Sequence, residues 1–90
     1  MRWQYTIPED LAFEFREAAE NDNYYDICDT FIAVCSWIQA NVPDAEYEME
    51  DLLEEAEFWD VDDPYFEEDM NYCLDELYDI CDAYGIWIPV

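Results

Sequence analysis

The chain has no lysine and no histidine, and its two arginines, Arg2 and Arg16, both lie near the N-terminus. Without histidine, imidazole acid–base chemistry and zinc sets that use a histidine are excluded. Without lysine there is no Schiff-base nucleophile and no phosphate-loop lysine. Glycine occurs once, at Gly85, so no glycine-rich loop cradles a phosphate. No apolar run approaches the roughly 20 residues of a membrane span. The opening stretch MRWQYTIPEDL has no apolar core region of a secretory signal, and a cytoplasmic protein is expected.

Four cysteines are present, Cys28, Cys35, Cys73 and Cys81, with spacings of seven and eight residues and no CxxC pair. That pattern argues against zinc and for reduced, buried thiols. No metal and no cofactor are expected.

What the chain does have is carboxylate. Its 26 Asp and Glu residues give a formal net charge of −24 over 90 residues, and 18 of them fall between Asp44 and Asp82, where there is no base. Disorder needs low hydrophobicity as well as high charge, and this chain is 53% hydrophobic and 19% aromatic. One folded acidic helical domain, residues 1–90, is therefore expected, despite a self-repulsion that opposes compaction.

Helical periodicity predicts four segments. The first opens at TIPEDL, with Thr6 as N-cap, Pro8 in the first turn and Glu9 completing a capping box, and runs to about Glu20 with Leu11, Phe15, Ala18 and Ala19 on one face. The second spans about Tyr24 to Asn41, ended by Pro43; its stripe is Ile27, Cys28, Phe31, Val34, Cys35 and Ile38, and it carries few charges. The third runs from a cap at Asp44 to Trp59 on Ala45, Met49, Leu52, Leu53, Ala56 and Trp59. Asp63 and Pro64 open the fourth, which ends near Tyr84 at a Gly85 cap and buries Phe66, Met70, Cys73, Leu77, Ile80, Cys81 and Tyr84. The aromatic and β-branched ends, RWQYTI and GIWIPV, are suited to pairing as a short two-stranded β-ribbon. The expected fold is a compact all-α four-helix bundle with such a ribbon at its termini. The pentapeptide YDICD occurs at 25–29 and again at 78–82, and reads as two helices converging on one pattern.

The acids form rows. On the third helix Asp44, Glu48, Asp51 and Glu55 make one, and Glu46, Glu50, Glu54 and Glu57 make another across the apolar stripe. Like charges at such spacings destabilise a helix by a few tenths of a kcal/mol per pair, and an ordinary surface helix intersperses Lys or Arg. Asp60, Asp62 and Asp63 continue the charge through the linker. On the fourth helix Glu68, Asp75, Asp79 and Asp82 fall along one flank, with Glu67, Asp69 and Glu76 elsewhere on the solvent side. Tyr65, Tyr72 and Tyr78, interleaved with these acids, are candidate aromatic contacts for arginine. The Asp44–Glu55 row spans roughly 16 Å, the length of about five phosphates on one DNA strand, and the net charge approaches that of about a dozen base pairs.

In its acidic, aromatic, lysine-free stretch from residue 44 to 82 and its small size, the chain resembles the DNA-mimic inhibitors. These include antirestriction proteins, several anti-CRISPR proteins and inhibitors of uracil-DNA glycosylase. The resemblance implies a stoichiometric, non-catalytic protein whose partner is a basic DNA-binding protein of a bacterial host: a nuclease, CRISPR complex, restriction enzyme or glycosylase. It implies no direct binding to nucleic acid or membrane, and leaves room for a homodimer.

Rival readings are an acidic chaperone or adaptor for a basic DNA-binding protein and a salt-adapted structural protein. Calcium fits poorly: DVDDPYFEEDMN starts like an EF-hand loop, but Pro64 takes its fifth position, Tyr65 replaces the glycine and Asn71 stands where the bidentate Glu belongs. Paired-carboxylate catalysis needs a concave pocket that so small a bundle has little room to form.

Overall fold

The computed structural model describes residues 3–89, so that Arg2 lies outside it. In chain order it contains β1 (Tyr5–Thr6), α1 (Glu9–Glu20), α2 (Tyr24–Asn41), a 3-10 turn (Pro43–Ala45), α3 (Glu46–Glu57), α4 (Phe66–Tyr84) and β2 (Ile86–Trp87). The fold is all-α with four helices and a two-stranded sheet joining the chain ends.

Helix α2 is central, packed against α1 and α3. Ile27, Phe31, Val34, Cys35 and Ile38 recur on its buried face. It begins where the Asn23 side chain accepts from the Asp26 amide at 3.4 Å, and ends before Pro43, which cannot continue the ladder. Helix α1 buries Ala12, Phe15 and Ala18, while Ala19 is exposed. Its start differs from the capping-box expectation. Thr6 belongs to β1, and Pro8, in an extended conformation at φ −52° and ψ 136°, separates that strand from Glu9.

Two further caps are displaced. Asp44 sits inside the 3-10 turn that Pro43 opens, and α3 starts only at Glu46. Asp63 caps a turn rather than α4: its Oδ1 accepts from the Tyr65 amide at 2.9 Å and its carbonyl from the Phe66 amide at 3.0 Å, so the helix begins at Phe66. Trp59 lies beyond the end of α3, its ring 4.9 Å from that of Phe31 and 5.8 Å from that of Phe66, bridging two parts of the core. The two YDICD copies present different faces: Ile27 is buried and Cys28 half-buried in α2, whereas in α4 Cys81 is buried and Ile80 half-buried.

The strands run parallel, Tyr5 opposite Ile86 and Thr6 opposite Trp87. Parallel strands need a crossover of at least a dozen residues, and here all four helices form it. Gly85 turns the chain out of α4 with φ 69°, a left-handed conformation in which a Cβ would be penalised. Its carbonyl accepts from the amides of Gln4 and Tyr5, and the Ile7 amide donates to the Trp87 carbonyl at 2.9 Å. Ile7, Ile86 and Ile88 are thereby buried, and Trp3 packs on Trp87 with ring centroids 5.2 Å apart.

Arg16 secures this corner. Its Nε donates to the Pro89 carbonyl at 2.8 Å and its Nη2 to the Ile88 carbonyl at 3.3 Å. Charge-assisted bonds of this kind contribute about 1.5–3 kcal/mol when well made. Arg16→Met is therefore expected to lower the unfolding free energy by about 1–3 kcal/mol in urea titration. Arg16→Lys, which keeps the charge but loses the planar fork, is expected to recover only part of that. An unchanged midpoint for Arg16→Met would show that the C-terminal segment is held by packing alone.

Candidate functional site

Of the eighteen carboxylates singled out from the sequence, seventeen are exposed. The exception corrects the phosphate-row expectation for Glu48. It is half-buried, its Oε1 accepts from the Tyr84 hydroxyl at 2.8 Å, and its Oε2 is removed from solvent without a hydrogen-bond partner. The Tyr84 phenol is held above its ordinary value by this bond, with burial and the charges of Glu48 and Asp44 adding to it. Glu48 is thus a member of an α3–α4 brace.

The helices gather the remaining acids unevenly. Asp51, Glu54 and Glu55 of α3 and Glu76 of α4 line one groove of about 590 Å³, together with Leu52, Phe58, Tyr72 and Cys73. Tyr72 crosses its wall and donates to Glu76 Oε1 at 3.1 Å; that bond, with the neighbouring carboxylates, raises its phenol above the usual range. On the adjoining face, Glu50, Glu54 and Glu57 surround Leu53 and Phe58. Asp44 and Asp82 meet at a separate hollow beside Tyr5 and Gly85.

Other predicted members are dispersed. Glu67 lies beside Tyr24, whose phenol it raises, and so faces the start of α2. Asp60 is engaged in the linker, its Oδ1 accepting from the Asp62 amide at 3.0 Å, and Asp63 caps the next turn. Asp69 lies near Cys73. Glu46, Asp62, Glu68, Asp75 and Asp79 are exposed and line none of these grooves. Of the three tyrosines only Tyr72 reaches the α3–α4 groove; Tyr65 is exposed at the start of α4, and Tyr78 turns toward Arg16 and Trp87 on the opposite flank.

Two features escape the rows drawn from sequence. Phe58 is 79% exposed at the mouth of the groove. At 100° per residue it falls about 150° from the centre of the α3 apolar stripe, which is the signal that marks it as a surface group. A second acidic hollow, of about 390 Å³, lies between α1 and α2, lined by Glu14, Glu17, Asp26 and Asp29 with Asn21, Asn23 and Thr30.

With so many exposed like charges, screening should stabilise the fold. The urea midpoint is expected to rise between 10 and 300 mM NaCl, by the equivalent of about 1 kcal/mol, since each close pair costs a few tenths. A flat or falling midpoint would show that the charges are compensated.

Among the described residues no helix is long and apolar enough to cross a membrane, and no group of three or more Cys, Asp or Glu is placed to hold a metal ion. No protein-family model, no curated protein and no solved structure matches the chain significantly.

Proposed function

We propose that this protein is a DNA mimic: a stoichiometric, non-catalytic inhibitor that occupies the basic DNA-binding cleft of a bacterial defence or DNA-processing protein. A CRISPR effector or a restriction enzyme is the favoured target. One observation carries the reading. The fold is 38 Å long, and 24 net negative charges over that length amount to one per about 1.6 Å. Duplex DNA carries one per about 1.7 Å of helix axis. A cleft built from Lys and Arg to hold about eleven base pairs meets a similar linear charge here.

The arrangement of groups supports the same reading. Fourteen of the eighteen acids stand on α3 and α4, whose spacing is fixed, and the sole arginine among the described residues is engaged with backbone carbonyls of the C-terminal segment. The protein's own cation therefore does little to neutralise the α3–α4 face.

The test is a panel of purified CRISPR and restriction nucleases. For the true target, cleavage is expected to stop at a one-to-one ratio of inhibitor to DNA-binding site. Prior addition of DNA should protect the enzyme, and the affinity should fall as salt rises. A target saturated with this protein that still binds its DNA would exclude mimicry and leave the acidic-adaptor reading.

A further inference from the structure

The two acidic grooves differ in one respect. The α1–α2 hollow is lined by carboxylates, amides, a threonine and one alanine. The α3–α4 groove has four carboxylates, but its lining includes Leu52 and Cys73, and it carries two aromatic rings: Phe58, just past the end of α3 and 79% exposed, and Tyr72 on α4, 64% exposed. A domain that buries Phe15, Phe31 and Phe66 has room for phenylalanine in its core, yet Phe58 stands in water.

An apolar strip walled by carboxylates suits few occupants. Nucleic acid and anionic lipid are repelled by it. An apolar helix would strip water from four carboxylates without returning hydrogen bonds. A lysine ammonium meets the charge but is compact and strongly hydrated, and gains little from the strip. A guanidinium is flat and weakly hydrated, stacks on ring faces, and donates in pairs to carboxylates.

We propose that the α3–α4 groove is an arginine receptor. It takes arginine side chains from the partner in preference to lysine, stacked on Phe58 and Tyr72 and paired with Asp51, Glu55 and Glu76. Tyr72 donates to Glu76 on the same helix at 3.1 Å and still leaves most of its surface exposed to an incoming group. The identification of the partner as a DNA-binding protein rests on the function proposed above; the preference for arginine does not.

The probes are capped hexa-arginine and hexa-lysine peptides, titrated into the isotopically labelled protein at 150 mM NaCl and followed by NMR. Hexa-arginine is expected to bind about five- to thirtyfold more tightly than hexa-lysine, the range set by two exposed ring contacts, and to move the Phe58 and Tyr72 ring signals. Phe58→Leu with Tyr72→Leu should bring the ratio to within about twofold while leaving hexa-lysine binding unchanged. Phe13→Leu with Tyr25→Leu, exposed rings on the other two helices, should leave the preference intact. Equal binding of the two peptides, unmoved ring signals, or equal losses in the two double variants would each overturn the receptor. DNA competition separates the two ideas. A nuclease displaced from DNA by a protein with no arginine preference would retain mimicry and remove the receptor. A partner bound at this groove that keeps its DNA would retain the receptor and remove mimicry.

Discussion

Between pH 9 and pH 11 the folded state is expected to lose most of its stability. The cause lies in the core, where Cys35, Cys73 and Cys81 are buried close enough for their charges to interact. Burial pushes the Cys73 thiol up to about 11, with Glu55 and Glu76 adding to it, and the Cys81 thiol up to about 12; Cys35 is raised further. An unfolded thiol ionises near 9, so above that pH the unfolded chain releases protons that the folded chain retains. Stability is thus fully present below pH 9 and is lost as pH rises toward the folded values. Each such thiol contributes a slope of about 1.4 kcal/mol per pH unit, so Cys35 and Cys81 alone remove about 3 kcal/mol per unit. A domain stable by about 5–15 kcal/mol cannot withstand two such units easily. Urea midpoints followed by circular dichroism should fall steeply from pH 9 upward. Cys35→Ala with Cys81→Ala should flatten the slope, which separates thiol ionisation from the growing repulsion between surface charges. A midpoint constant to pH 11 would mean that these thiols do not titrate on unfolding.

Asp51→Lys with Glu55→Lys should weaken binding to the target by more than about 30-fold, the loss expected when close interfacial charge pairs are broken. Both residues line the α3–α4 groove, and Glu55 also acts on Tyr72 and Cys73. Glu9→Lys with Glu17→Lys on α1 changes the net charge by the same four units. That control should alter mainly the association rate, because distant charges steer the encounter but make no close pair. Surface plasmon resonance resolves the two: a faster dissociation confined to the α3 variant supports the site, and equal losses would reduce the effect to net charge.

Helix α2 is legible end to end because its signals agree: an asparagine before it, a proline after it, and an unbroken stripe between. The other helix starts are less so. Thr6, Asp44 and Asp63 each have the chemistry of a cap, but Thr6 is claimed by a strand whose partner lies at the far end of the chain, and Pro43 and Pro64 each open a turn before the helix can form. The aromatic and β-branched ends do foretell the strand pair, but Thr6 belongs both to that segment and to the capping box, and only the long-range register decides between them. At the candidate site, the acid rows and the outward position of Phe58 follow from helical spacing. The capture of Glu48 by Tyr84 does not, since it depends on how α3 and α4 are placed against each other. The same placement divides the tyrosines, sending Tyr72 into the groove and Tyr78 toward Arg16.

The parallel strand pair also sets an order of events during folding. Helices α1, α2 and α3 pack on their neighbours in the chain, contacts that close short loops and form quickly. Tyr5 and Ile86 must close nearly the whole chain, at an entropic cost of about 4 kcal/mol for the few hydrogen bonds of a two-residue strand pair. The strands can meet only after the helices have brought the ends together. During synthesis, the Ile7 amide therefore stays without its native acceptor until Trp87 has been made. The amide of Ile7, which donates across that junction, should be among the last to gain protection from hydrogen exchange in a refolding experiment.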